Sequence, residues 1–67
     1  MKVYVNGEPR EVGEGASVAE VVAPGEPATP RGIAVAVDGS VVPRAQHSAT
    51  TVHEGARIEI VTAVQGG

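Results

Sequence analysis

Two dipeptides limit how this chain can fold more than any other feature, because each interrupts a run of alternating apolar residues. Asn6-Gly7 follows the sequence KVYV, and Asp38-Gly39 follows IAVAV. Both positions of a two-residue hairpin turn need positive φ, which asparagine, aspartate and glycine tolerate. Each dipeptide therefore predicts an antiparallel hairpin, with return strands at about residues 9–12 and 41–42. Pro9 cannot donate a ladder hydrogen bond, so we expect it at the start of its strand or on a sheet edge.

Between the two hairpins, the apolar residues change to a helical period. Ser17 followed by Glu20 matches a capping box, in which both side chains accept from free N–H groups at the start of a helix. One apolar stripe is formed by valines at positions i, i+3 and i+4, which are Val18, Val21 and Val22. Pro24-Gly25 ends the pattern. It predicts a helix of two or three turns that is held by packing rather than by propensity.

A proline-rich segment follows the helix. Residues 23–32, APGEPATPRG, hold three of the five prolines and predict a loop. The loop is either a functional arm or a variable surface connection, which is tolerated because loop length costs little free energy.

The last two apolar segments predict strands in the body of the sheet. IAVAV is apolar on both faces, as expected of a central strand, and Ile33, Val35 and Val37 would face the helix. In RIEIV, Ile58 and Ile60 would point inward and their charged neighbours outward.

The order of these elements is β-β-α-β-β-β, which predicts an α+β protein. One short helix packed on a mixed sheet of four to five strands is the β-grasp, or ubiquitin-like, arrangement. Its terminal strands would pair in parallel at the centre of the sheet. We therefore expect a β-grasp domain at residues 1–62 and a flexible C-terminal tail, with its Gly-Gly, at residues 63–67.

Composition excludes several classes of protein. The chain has 67 residues, enough for one small domain, and no cysteine, which excludes a disulfide scaffold, a thiolate metal site and a cysteine nucleophile. The net charge is −3 and the five basic residues are spread along the chain, which argues against nucleic-acid binding. No apolar run approaches the roughly 20 residues that span a bilayer. We expect a cytoplasmic protein without a targeting segment, away from membranes and monomeric when free.

The side chains offer little for catalysis. We expect His47 and His53 to be ordinary surface histidines, because neither has a companion at metal-ligand spacing. The serines lack a nucleophile motif, and the eight acidic residues are scattered along the chain. The sequence therefore predicts a protein that is not an enzyme and binds no metal or cofactor of its own.

One reactive group remains, the α-carboxylate of Gly67. Joined to AMP, it would become a mixed anhydride that thiols, persulfides or amines can attack. The tail would then have to thread into the ATP site of another protein, and Gly66 suits a narrow channel because it has no Cβ. The alternative is a frayed terminus without a function.

Apolar residues beside the tail are candidates for docking it to a partner. Val61 and Val64 flank the start of the tail, and Tyr4 would lie on the same exposed face of the sheet. The alternative is that all three side chains are ordinary sheet cover.

Two segments, GIAVAVDGSVVPR and HEGARIEIVTAVQGG, resemble the ThiS family, the sulfur carriers of thiamine biosynthesis. The resemblance begins at MKVYVNGE and covers nearly the whole chain. It implies a β-grasp fold related to MoaD, the small subunit of molybdopterin synthase. The chain departs from the family after Val-Pro-Arg, where the family often has an aromatic residue, commonly Trp, and this chain has His47 or a neighbour.

The resemblance also implies a carrier cycle. A ThiF-like E1 adenylyltransferase would use ATP and Mg²⁺ to adenylate Gly67, and a persulfide sulfur from a donor protein would displace AMP and leave a thiocarboxylate. A ThiG-like thiazole synthase would then take this sulfur for the thiazole ring of thiamine. By position, Gly66 and Gln65 would be the tail residues that thread into the partner.

Three other functions share some of these features. The same carrier chemistry could serve molybdopterin synthesis, tRNA thiolation or cysteine synthesis. A ubiquitin-like protein modifier would instead join Gly67 to lysines through isopeptide bonds. A plain ubiquitin-like binding module would have an inert tail.

Overall fold

A computed structural model describes residues 1–27 and 29–62 and contains one five-stranded sheet with a short helix. The elements in chain order are β1 (Lys2–Val5), β2 (Glu8–Glu11), α1 (Val18–Val22), β3 (Ile33–Val37), β4 (Ser40–Val42), a 3₁₀ turn (Arg44–Gln46) and β5 (Arg57–Thr62). The strand order across the sheet is β2-β1-β5-β3-β4, with β1 and β5 parallel and the other neighbours antiparallel. The predicted parallel pairing of the terminal strands is confirmed.

Both predicted hairpin turns are present. Asn6 and Gly7 have φ of 50° and 85°, and Asp38 and Gly39 have φ of 50° and 86°, which are the values of a two-residue turn with two left-handed positions. Pro9 lies on β2, an edge strand, as predicted. It is opposite Tyr4, whose N–H donates to the carbonyl of Ala56, just before β5, rather than to β2, so the missing N–H of proline breaks no ladder bond.

The helix is shorter than the sequence predicts. The capping box is present, since Ser17 Oγ accepts from Glu20 N–H at 3.1 Å and Glu20 Oε1 accepts from Ser17 N–H at 2.9 Å. However, α1 spans only five residues, so the expectation of two or three turns is wrong. Valine-rich segments have low helix propensity, and Pro24 follows directly after the C-cap at Ala23, where the chain leaves the helix.

The segment between β4 and β5 provides hydrogen-bond acceptors for the first N–H groups of the helix. Val18 N–H donates to the Thr50 carbonyl at 2.8 Å, and Ala19 N–H donates to the His47 carbonyl at 3.0 Å. With the Ser17 cap, the first three N–H groups of α1 therefore all have partners. A segment without a regular period thus holds the start of the helix against the sheet.

The core lies between the helix and one face of the sheet and is aliphatic. Its buried members are Val3, Val5, Ala16, Val18, Val21, Val35, Val52, Ala56 and Ile58. Ile33, Val37 and Ile60 pack against this cluster while remaining partly exposed. The predicted inward faces of β3 and β5 are therefore confirmed.

His47 is buried, so the expectation that it lies on the surface is wrong. Its side chain is only 2% exposed. Nε2 lies 2.8 Å from the Val42 carbonyl oxygen, and Nδ1 lies 2.9 Å from the Thr29 hydroxyl. A carbonyl oxygen can only accept, so Nε2 carries a proton and donates to Val42, while Nδ1 and the Thr29 hydroxyl share a second hydrogen bond. The ring thereby joins the end of β4 to the loop of residues 23–32.

The same loop is held a second time by the 3₁₀ turn. Arg44 Nε donates to the Thr29 carbonyl at 2.7 Å, and Thr29 itself is buried. Together with the His47 contact, this bond anchors the second half of the proline-rich loop to the sheet. His53, in contrast, is exposed, as predicted.

Candidate functional site

The sheet face opposite the helix, which we call the outer face, carries the large apolar side chains that the fold leaves exposed. These are Tyr4, Val41 and Val61, with exposed fractions of 36%, 74% and 61%. Directly paired strand residues lie on the same face of a sheet, and Val61 is paired with Ala34, Ala36 with Val41, and Tyr4 with Arg57. The outer face is therefore a continuous surface across β1, β5, β3 and β4.

A shallow groove on the outer face runs along β5. It has a volume of about 470 Å³ and lies between the turn after β1 and the outward side chains of β5. Its lining residues are Tyr4, Asn6, Gly7, Arg57, Ile58, Glu59 and Val61. Ile58 is buried and faces the core, so the groove presents two apolar side chains, Tyr4 and Val61, with one cation and one anion, close to the last described residue of β5.

The end of β5 is held from both sides. On the β3 side, Thr62 is paired with Ile33. On the β1 side, β1 ends at Val5, and the side chain of Asn6 takes the place of the next residue of the strand. Asn6 Oδ1 accepts from Ile60 N–H at 2.8 Å, and Nδ2 donates to the Ile60 carbonyl at 3.3 Å. The last described residues of β5 are therefore held by side-chain and ladder bonds together.

An exposed ion pair lies at the opposite end of β5. His53 Nε2 is 2.6 Å from Asp38 Oδ2, and His53 Nδ1 is 2.9 Å from the Glu54 carbonyl oxygen. Only the charged imidazolium donates from both ring nitrogens, and the hydrogen bond to Asp38, then the one to Glu54, raises the pKa of His53. The Arg57 backbone N–H, and then the His53 ring, lower the pKa of Asp38.

This pair predicts that stability changes with pH. Because the His53 pKa is raised on folding, its contribution is complete below the ordinary value of 6.5 and is lost as pH rises through the raised value. Because the Asp38 pKa is lowered, its contribution is lost as pH falls below 3.8 toward the lowered value. We expect the urea midpoint of the wild type to decrease as the pH rises from 6.5 through the raised pKa of His53. In His53→Gln this fall should be absent, and an unchanged pH profile in that variant would contradict the assignment.

The structure describes some of the predicted site residues and not others. Tyr4 and Val61 lie on the outer face, as the strand alternation predicts. Val64, Gln65, Gly66 and Gly67 lie outside the described residues. Within the described ranges, no group of three or more histidine, aspartate or glutamate side chains is placed to hold a metal ion. No helix in the same part of the chain is long and apolar enough to cross a membrane.

Two members of the site were missed by the sequence analysis. Val41 is the most exposed large apolar side chain of the outer face, and its alternation with the inward Val42 was a signal that could have found it. Asn6 was interpreted as a turn residue alone. Its second contact, to a residue 54 positions away in sequence, leaves no local signal.

A short helix packed on one face of a mixed five-stranded sheet, with its parallel terminal strands at the centre, defines a β-grasp protein. The predicted fold class is confirmed. The chain belongs to the ThiS family, whose family model matches residues 3–67. It is similar to the solved structure of a thiamine biosynthesis protein, ThiS, from Geobacter metallireducens, with 32% identity, 100% of both chains covered and a TM-score of 0.81. No curated protein matches the chain.

Proposed function

We propose that the chain is a sulfur carrier of thiamine biosynthesis, which donates sulfur from a thiocarboxylate at Gly67. The observation that carries this proposal is the family membership, since the family match runs through residue 67 and includes both glycines. The whole-length likeness to a thiamine biosynthesis protein supports the same client. The protein would act in the cytoplasm as a co-substrate of its partners rather than as an enzyme.

The chemistry of the carrier is supplied by partner proteins. A ThiF-like adenylyltransferase would let the Gly67 carboxylate attack the α-phosphate of Mg²⁺-bound ATP, and pyrophosphate would leave. A persulfide of the donor protein would then attack the acyl adenylate, form a carbon–sulfur bond and release AMP. A thiol would cleave the resulting acyl disulfide, which leaves the thiocarboxylate on Gly67 and a disulfide on the donor side. A ThiG-like thiazole synthase would use this sulfur.

The outer face supports docking to these partners. It places the exposed Val61 on β5, the strand that leads into residues 63–67, and Tyr4 on the neighbouring strand β1. A partner that covers Tyr4 and Val61 would therefore bind the base of the tail at the same time. Val64 would extend the same contact, and Gln65 and Gly66 would thread toward the ATP site.

Intact-mass spectrometry tests the carrier function. The chain is incubated with a ThiF-like enzyme, ATP, Mg²⁺ and a persulfide donor. We expect a mass gain that corresponds to the replacement of one oxygen by one sulfur, and we expect no gain when Gly67 is deleted. Incorporation of this sulfur into thiazole by a ThiG-like enzyme would support the thiamine client. Linkage of Gly67 to lysines would instead indicate a protein modifier, and no product with any such enzyme would contradict the proposal.

Val61→Asp tests docking by the outer face. A charge at the centre of an apolar contact is expected to weaken the complex with the adenylyltransferase by roughly tenfold or more. The fold should remain intact, because the Val61 side chain is 61% exposed. Ser48→Asp is the matched control, since Ser48 is exposed in the segment that contacts the helix and lies away from the outer face. Equal affinities of the two variants, measured by titration calorimetry, would exclude the outer face as the docking surface.

A further inference from the structure

Two turn residues hold β5 from opposite sides and near opposite ends. Asp38, in the turn after β3, accepts with Oδ1 from Arg57 N–H at 3.0 Å, at the first residue of β5. Asn6, in the turn after β1, accepts with Oδ1 from Ile60 N–H at 2.8 Å. Both residues have φ of 50° and both precede a glycine. The same local device is thus used twice on one strand.

The Asn6 contact differs from the Asp38 contact in its position relative to the end of the sheet. The backbone ladder between β1 and β5 ends where Asn6 N–H donates to the Ile58 carbonyl at 2.8 Å. Beyond this bond, the side-chain amide of Asn6 makes two hydrogen bonds to the backbone of Ile60, two residues before β5 ends. Without them, the last residues of β5 would have ladder bonds to β3 alone.

We infer that Asn6 is a positioning residue for the carrier reaction: its side chain makes the last contact between the β1 hairpin and β5, and thereby holds the end of the strand that carries the reactive C-terminus. The inference rests on the proposed function, because holding this end matters only if Gly67 is delivered to a partner. Asn6 does not touch the reacting carboxylate. It acts through Ile60 and the strand that continues into the tail.

This role predicts which kinetic parameter changes. Asn6 lines the groove on the outer face, but docking is assigned to the exposed apolar side chains of that face, which project from β1, β4 and β5 and remain when the Asn6 side chain is removed. Delivery of Gly67 depends on how often the end of β5 is held in its sheet position. Loss of Asn6 should therefore lower kcat for adenylation and leave the affinity of the complex nearly unchanged.

Asn6→Gly and Asp38→Gly are a matched pair of variants. Glycine tolerates the positive φ at both positions, so both turns should form. Each change removes a side-chain contact to β5, but Asp38 lies at the start of the strand and has no part in the proposed docking or delivery. Asp38→Gly also removes the contact to His53, so it should lower the stability of the fold at least as much as Asn6→Gly does.

Amide hydrogen exchange of the protein alone tests the contact itself. In Asn6→Gly we expect exchange at Ile60 to accelerate by about tenfold, the factor that corresponds to ~1.4 kcal/mol, while exchange at Arg57 stays unchanged. In Asp38→Gly the acceleration should fall on Arg57 instead. Unchanged exchange at Ile60 in Asn6→Gly would overturn the inference.

Adenylation kinetics test the role in delivery. We expect kcat of Asn6→Gly to fall, by at most about the tenfold that the exchange factor sets, with a complex affinity within about twofold of wild type, and kcat of Asp38→Gly to stay at the wild-type value. Equal kcat values for the two variants would overturn the positioning role. A wild-type chain that no adenylyltransferase modifies would contradict the proposed function itself, and the exchange data would still decide whether Asn6 holds β5.

Asn6→Asp is a second variant that keeps the size of the side chain. It retains an oxygen that can accept from Ile60 N–H. Its second oxygen, however, faces the Ile60 carbonyl oxygen, to which Nδ2 donates in the wild type. We expect the same direction of change in kcat and in exchange at Ile60. If kcat and exchange at Ile60 were unchanged in this variant, the hydrogen bond donated by Nδ2 would not be needed. That result would overturn the inference that both hydrogen bonds of Asn6 hold β5.

Discussion

Replacing His47 by alanine is expected to destabilise the protein by about 2–4 kcal/mol. The change leaves the Thr29 hydroxyl buried without its partner, at about 1–3 kcal/mol, and opens a cavity that the neighbouring backbone closes only in part. It also removes the bond to the Val42 carbonyl at the end of β4. A chain of this length has a total stability of roughly 3–10 kcal/mol, so the variant should lose a large fraction of the free energy of unfolding.

The measurement is urea denaturation followed by circular dichroism. His53→Ala is the control, because it removes the same side chain from an exposed position and should lower stability much less. If the two variants lost equal stability, the buried contacts of His47 would not contribute as the structure indicates. Thermal melting under the same conditions should rank the two variants in the same order.

The same histidine shows where the sequence stops predicting the structure. The strands were predictable because alternation and the turn dipeptides are local, and every predicted hairpin formed. The segment RAQHSATT has no period, so nothing local indicated which side of it is buried. Burial of His47 is decided by contacts to Thr29 and Val42, which are 18 and 5 positions away in sequence.

Some features of the candidate site were likewise predictable from the sequence, and others were not. Alternation along β1 and β5 placed Tyr4 and Val61 on one exposed face, and the structure agrees. The contact of Asn6 to Ile60 was not predictable, since it forms only after the terminal strands have paired. The short length of α1 was not predictable either, because a capping box indicates where a helix starts but not where it ends.

Gly66→Val is expected to reduce adenylation by roughly a hundredfold or more under the proposed function. Threading into an ATP site requires a thin backbone with access to angles that a Cβ excludes, and valine is branched at that atom. The variant should still bind the adenylyltransferase, because docking is assigned to the outer face of the sheet. The measurement is release of pyrophosphate, with complex affinity determined in parallel.

Gly13→Val is the matched control for this prediction. An added Cβ at Gly13 meets nothing within 4 Å, and its φ does not lie in the left-handed region, so the same exchange should be tolerated. A normal adenylation rate in Gly66→Val would show that the channel accepts a branched side chain, and threading through a narrow passage would then not explain the glycine. A slow rate in both variants would point to a general loss of fold, which circular dichroism of Gly13→Val would reveal. Only a slow Gly66→Val beside a normal Gly13→Val assigns the effect to the tail.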